Sequence, residues 1–159
     1  MDTLTFQLEA WPALWPEFAH LMYSVHAPEV SQFQDHMQVS LDESFHQAMY
    51  DLGRLDSATI RDGDVLVGYF ISAVMPNPHF VGVKSAYMIH YFVQRSYRGK
   101  GLGSQLLRFA TACLQARGVE CVWAGAKTSQ HMNHLFERQG WTEVETLFSK
   151  WLQPQPEGT

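Results

Sequence analysis

Three glycines at alternate positions, Gly99, Gly101 and Gly103, separate a β-rich run from an amphipathic run, with Arg98 and Lys100 between them. Upstream, Ser85 to Val93 reads as a strand rich in β-branched and aromatic residues. Downstream, Leu102, Leu106, Ala110, Cys113 and Leu114 recur at helical spacing and mark one apolar face of a helix over Gly101–Ala116. The centre of the chain is therefore a strand, a glycine turn and a helix. Glycine lets backbone approach a ligand and adopt φ values other residues avoid. The first N–H groups of a helix have no partner within it, and the helix dipole favours an anion there. With two flanking cations, this is the chemistry of a diphosphate site. The spacing lacks the Gly-x-x-x-x-Gly-Lys of a P-loop. It also departs from Gly-x-Gly-x-x-Gly, because position 104 is Ser104. It does fit [Gln/Arg]-x-x-Gly-x-[Gly/Ala], with Arg98, Gly101 and Gly103 at the fixed positions.

The rest of the chain is organised around this unit. Leu4, Phe6 and Leu8 alternate with polar residues as in a short strand. Pro12 and Pro16 stand where a helix can begin, and Phe18, Leu21, Met22 and Val25 follow at helical spacing. Ala27 to Gln38 has no clear period. Asp42 can cap a helix carrying Phe45, Met49 and Leu52, with Gly53 just past its end. Ser57–Arg61 and Val65–Met75 read as strands joined by Asp62-Gly63-Asp64, a hairpin turn. Pro76-Asn77-Pro78 breaks the second of these. After the central helix, Gly118 is a stop, Val119–Ala124 a short strand, Ser129–Gln139 a helix ended by Gly140, and Trp141–Leu152 a last strand. The expected fold is mixed α/β (α+β), a mostly antiparallel sheet of about six to seven strands flanked by about four helices.

Composition narrows the function. The chain has 159 residues, 46% hydrophobic and 13% aromatic, and a formal charge of -5. That suits one folded domain over residues 1–152 with a Pro-rich flexible tail over 153–159. Net negative charge argues against nucleic-acid binding. No apolar run reaches the roughly 20 residues of a membrane span, and no signal peptide is evident. Cys113 and Cys121 form no Cys-x-x-Cys pair and read as thiols of a reducing compartment, so a cytoplasmic location is expected.

Taken together, the run Val93-Gln94-Arg95-Ser96-Tyr97-Arg98-Gly99-Lys100-Gly101-Leu102-Gly103 resembles the signature of the GNAT superfamily of acyl-CoA-dependent N-acetyltransferases. Leu135-Phe136-Glu137-Arg138-Gln139-Gly140-Trp141 resembles that family's Leu-Tyr-Glu-x-x-Gly-Phe, and Val67-Gly68-Tyr69 its Val-Gly strand. The likeness spans roughly Ser57 to Leu152. It implies an acetyl-CoA co-substrate in a gap where the central strand splays from the next. It implies that Arg98, Gly99, Lys100, Gly101, Leu102, Gly103 and Ser104 hold the pyrophosphate, and that backbone at Phe92 and Val93 pairs with the pantetheine arm and polarises the thioester. Ser129 and Phe136 take the places of two further cofactor-side residues, usually asparagine and tyrosine. The implied reaction is direct attack of a primary amine, on an acceptor expected to be a small molecule, within a ternary complex. A protein or peptide acceptor and a non-catalytic acyl-CoA-binding module are the alternatives. A homodimer is open on this reading.

Phe136 cannot protonate a leaving thiolate, and the position where some members carry a glutamate base falls near Ala124. Histidine suits a proton carrier near neutral pH. His90, on the central strand just before the glycine loop, is the first candidate, and His79, in the connection before that strand, the second. His131 and His134 lie three apart on the last helix, but no further ligands stand at suitable spacing, so no metal is expected. Trp11, Trp15, Met22 and Tyr23 make an aromatic-rich patch in the region that, in this family, often shapes the acceptor pocket.

Overall fold

The computed structural model describes residues 4–30, 38–130 and 132–152. Its strands are β1 (Leu4–Leu8), β2 (Leu55–Asp62), β3 (Val65–Pro76), β4 (Lys84–Val93) and β5 (Cys121–Trp123). Its helices are α1 (Trp11–Leu21), α2 (Ala27–Val30), α3 (Glu43–Asp51), α4 (Leu102–Ala116) and α5 (Asn133–Glu137). A π turn, Met22–His26, joins α1 to α2 without leaving helical backbone, so the five segments form four helical units. The five strands make one sheet in sequence order, antiparallel from β1 to β4, with β5 parallel to β4.

Local chemistry accounts for most boundaries. The α1 helix starts with Pro12 in its first turn, where the missing N–H is harmless. At α3 the Asp42 carboxylate accepts from the Phe45 N–H at 2.9 Å, and Gly53 follows the helix at φ 66°. The β2–β3 hairpin turns on Gly63-Asp64, with Asp62 paired to Val65 and Gly63 at φ 57°.

Two apolar layers sandwich the sheet. On one face, Leu102, Leu106, Leu107, Ala110 and Leu114 of α4 pack on Ile60, Val67, Phe70, Val74 and Val93. On the other, Trp11, Leu14, Phe18 and Leu21 of α1 pack on Leu66, Tyr69, Ile71 and Phe92. Each Leu, Ile, Val or Phe among these, taken fully out of water, contributes about 1.5–3 kcal/mol.

Two expectations need correction. Among the described residues the sheet has five strands, slightly fewer than the six or seven expected. The run Trp141–Leu152 forms no strand: Val144, Leu147, Phe148 and Leu152 are 66%, 88%, 88% and 77% exposed. Its apolar residues do not alternate, since Leu147 and Phe148 are adjacent, so an extended run would have no single face to bury. Trp141 packs on Phe136 at 5.0 Å between ring centroids. The tail over 153–159 lies outside the described residues.

Candidate active site at the splay of the central strands

The β4 and β5 strands pair over three positions only, Ser85 with Cys121, Ala86 with Val122 and Tyr87 with Trp123. Beyond Tyr87 the strands separate, while β4 keeps its pairing with β3 as far as Val93 opposite Gly68. Among the described residues, the second half of β4 therefore has a free edge. Gln94 donates its N–H to the Val67 carbonyl at 2.8 Å, toward β3. Backbone groups alternate along a strand, so the Val93 N–H is turned to the free edge.

The glycine loop closes this end. Gly99 and Gly101 have φ of 78° and 74°, which a side chain would strain, and nothing lies within 4 Å of where a Cβ on Gly99 would stand. The first bond of α4 runs from the Gln105 N–H to the Gly101 carbonyl, so the N–H groups of Leu102, Gly103 and Ser104 precede it. At Gly103 the constraint comes from inside: a Cβ there would fall on the Tyr91 hydroxyl. Bare, outward-turned backbone at a helix start, with Lys100 beside it, is a cradle that fits a diphosphate.

Arg98 does something else with its side chain. Its backbone N–H closes a turn on the Arg95 carbonyl at 3.2 Å. Its guanidinium lies over the Phe92 ring and donates to the Val93 carbonyl and to Glu29, both at 2.8 Å. Lys127 donates to the Val30 carbonyl at 2.5 Å. Both cations thus tie α2 across the mouth of the splay.

Opposite α4, a bulge changes which way β4 points its side chains. Ile71 pairs with His90 and Ser72 with Met88, leaving Ile89 extra. Ile89 and His90 consequently face the same layer, that of α1 and α3. There His90 Nε2 lies 3.1 Å from Nε2 of His46, a buried residue of α3. The two rings meet edge to edge, their planes 19° apart and their centroids at 5.3 Å, and Trp11 stacks on His46 at 4.9 Å. Beside them His26 Nδ1 lies 2.5 Å from the Tyr69 hydroxyl, and its ring stacks on Phe92 at 4.7 Å. Burial, with His46 next in weight, pushes His90 down to about 3, and burial with Lys127 and Arg98 pushes His26 down to about 4. Both are neutral at pH 7. His46 escapes sequence reading because the period of α3 marks Phe45, Met49 and Leu52. In the structure Phe45 and Leu52 are exposed and His46 is the side chain turned inward.

The other candidates are dispersed. His79 sits exposed in the β3–β4 turn, its N–H on the Asn77 carboxamide oxygen at 2.8 Å. That turn is at the far end of β4 from the glycine loop, and a ten-residue strand spans roughly 30 Å. His134 is exposed and paired with Glu137. Phe136 is 8% exposed and belongs to the α4-side core. Ser129 lies in a short turn, Thr128–Gln130, and its side chain, like all of His131, lies outside the described residues. Among the described residues, no three His, Cys, Asp or Glu side chains are placed to hold a metal ion, and no helix is long and apolar enough to cross a membrane.

The fold recurs in solved structures. An aminoglycoside acetyltransferase from an uncultured soil metagenomic sample superposes with TM-score 0.72 at 17% identity, over 96% of this chain and 97% of that one. A ribosomal-protein-alanine N-acetyltransferase from Brucella melitensis gives 0.71 at 18%, over 98% and 99%. A glucosamine-6-phosphate N-acetyltransferase from Arabidopsis thaliana gives 0.70 at 13%, over 96% and 100%. Among curated protein sequences none matches. The family model described as "Acetyltransferase (GNAT) family" matches residues 12–141, which includes the glycine loop, the splayed strands and the buried histidines. The chain belongs to the acetyltransferase (GNAT) family.

Proposed function

We propose that this chain is an N-acetyltransferase, one catalytic domain over residues 1–152, that moves an acetyl group from acetyl-CoA to a primary amine of a small molecule. The observation that carries the reading is the free edge of β4 leading directly into the bare backbone of Gly99–Ser104. On this reading the N–H groups of Leu102, Gly103 and Ser104 bind the pyrophosphate, helped by Lys100. Backbone at Val93 aligns the pantetheine arm, the Phe92 groups being turned to β3, and the outward-turned Val93 N–H holds the acyl oxygen. Acetyl-CoA supplies an acyl group on a sulfur leaving group, whose thiol pKa is about 8.5. Arg98 and Lys127 hold α2 over the site and limit water entry. His90, the ionisable side chain that the bulge turns toward the helices, accepts the proton of the attacking amine.

The surroundings of His90 favour a particular acceptor. Trp11, Phe18 and the exposed Phe45 ring the histidines, with Trp15 packed against them. Of the carboxylates on the surrounding elements, Glu9 and Glu17 bind Arg61, Glu29 binds Arg98 and Asp42 caps α3. An amine on an apolar or aromatic body suits such walls better than a polycation such as an aminoglycoside. The free thiols of Cys113 and Cys121 accord with a cytoplasmic enzyme.

A non-catalytic acyl-CoA binder is the second reading, favoured by the buried Phe136 in place of an acid. Two measurements decide. A ligand that binds only the folded state raises its melting temperature, so CoA and acetyl-CoA should do so here, and no shift at millimolar ligand would sink both readings. Thiol release with a panel of aromatic monoamines, aliphatic monoamines and aminoglycosides should then show turnover, fastest with the first. Tight CoA binding with no turnover on any amine would leave the binder.

A further inference from the structure

We propose that His46 and His90 act as one proton-accepting pair, in which His46 fixes the tautomer of His90 and takes over the charge that His90 receives. This rests on the acetyl-transfer reading above and assigns a positioning role to a residue of α3.

The tautomers follow from one acceptor. His46 Nδ1 lies 2.7 Å from the Asp42 carbonyl oxygen, which can only accept, so the proton of His46 is on Nδ1. A neutral imidazole then has its lone pair on Nε2. That atom faces His90 Nε2 at 3.1 Å, so His90 must donate from Nε2 and keep its own lone pair on Nδ1. Rotation of either ring is opposed by its neighbours: Trp11 against one face of His46, Phe45 edge-on to it at 5.4 Å, and Phe18 at 5.2 Å from His90.

The charge has a reason to move. Burial alone makes His90 a weak base, and His26, Lys127 and the second histidine add to the penalty. Tyr69, beside His26, is held in its neutral form by burial. Arg98 raises the positive potential on the His26 side. His46 has the opposite company. The Asp42 carboxylate, which accepts from Phe45 and Ser44 and interacts with His46, stands with Glu43 at the start of α3. A proton entering at His90 Nδ1 therefore releases the Nε2 proton across the 3.1 Å contact to His46 Nε2. His90 ends neutral with its proton on Nδ1, and His46 ends as the cation nearest a carboxylate.

The step balances. The amine nitrogen forms the C–N bond and gives one proton to His90, the C–S bond breaks with its electron pair on sulfur, and the pair carries one positive charge. Solvent returns one proton to the thiolate and takes one from His90 Nδ1 as the Nε2 proton of His46 passes back to His90 Nε2, which restores both rings.

The test uses the full chain with 15N-labelled histidine. Long-range 1H–15N spectra at pH 8 should show His46 protonated on Nδ1 and His90 on Nε2, and acidification should leave His90 neutral after the pair has taken its first proton. A His90 proton on Nδ1 at pH 8, or an imidazolium forming first at His90, overturns the proposal, and neither result depends on turnover. In the thiol-release assay, His46→Phe should lower kcat by about 10²-fold with the KM for acetyl-CoA unchanged. His46→Gln can still accept from His90 but cannot take the charge. It should keep the Nε2 tautomer of His90 and lose the acid limb of the pH profile. If His46→Phe fails to fold, shown by loss of the CoA-induced melting shift, His46→Gln alone carries the comparison. A wild-type pH profile in His46→Gln overturns the relay. Absence of turnover in the wild type overturns the transfer reading and the use of the pair in it, while the spectra still decide the tautomers.

Discussion

At Gly103 a single hydroxyl decides which residue the loop can hold. The Tyr91 side chain crosses from β4 to the start of α4, and its oxygen occupies the place of a Cβ at position 103, whereas its ring carbon Cζ would lie an ordinary 3.8 Å away. Gly103→Ala should therefore push the α4 start off β4, destabilise the fold by about 1–3 kcal/mol and weaken the CoA-induced melting shift. Tyr91→Phe removes the clashing oxygen, so Gly103→Ala/Tyr91→Phe should recover most of both losses. Urea unfolding of the four proteins in this cycle measures the coupling, and additive effects would refute the packing account. The glycine was legible in the sequence, but as a residue that admits a ligand. That it also admits Tyr91 depends on how far β4 and α4 approach, which no local pattern encodes. The same holds for His46: it shares the inward face of α3 with Met49 and Tyr50, but a histidine adds nothing to an apolar period, and its partners Trp11 and His90 are far from it in sequence.

Elements with strong local chemistry were readable, and those set by a neighbour were not. The hairpin at Gly63-Asp64, the Asp42 cap and the long face of α4 carry their instructions within a few residues. The bulge at Ile89 and the π turn at Met22–His26 carry none. Each is a one-residue change of phase, and between them they aim His90 and His26 into the same layer. The missing last strand is the complementary case, in which β-prone composition lacks alternation and β5 offers only three paired residues. A prediction belongs at the loop–helix junction. Gly101 is the N-cap of α4 in left-handed conformation, φ 74° and ψ 3°. Gly101→Ala should cost about 1–2 kcal/mol and reduce CoA affinity, because relief of the strain swings the N–H groups of Leu102 and Gly103. Gly101→Asn tolerates the same φ better and should lose less of both. Equal losses in calorimetric titration with CoA would show that the left-handed conformation is not what matters.

Taken as a whole, the molecule is one sheet clamped between two apolar layers, with polar pins where the helical layer meets the strands. One pin is Arg61, which binds Glu9 beyond β1 and Glu17 of α1. Another is His26, buried between Tyr69 and Phe92 at the end of the π turn. Their acid responses are separable. Burial alone would raise the Glu9 pKa, but hydrogen bonds from Arg61, Thr59 and Gln7 outweigh it and hold the group at about 2. Its stabilisation is full above the usual carboxylate range and fades as pH falls through about 2. For His26 the folded value, about 4, lies below the unfolded 6.5. Between those values the unfolded chain binds more protons than the folded one, so stability must rise with pH there. His26 thus contributes fully above pH 6.5, and this contribution is lost as pH drops toward 4, by an amount on the order of 3 kcal/mol. Melting temperatures measured from pH 8 to pH 4 should therefore fall well before Glu9 titrates. His26→Gln should be less stable at pH 8 yet show a shallower decline from pH 6.5 to 4. Glu9→Gln should parallel the wild type over that interval, because its carboxylate keeps its charge until much lower pH. A decline unchanged in His26→Gln would move the acid sensitivity to His90, whose pKa burial lowers as well.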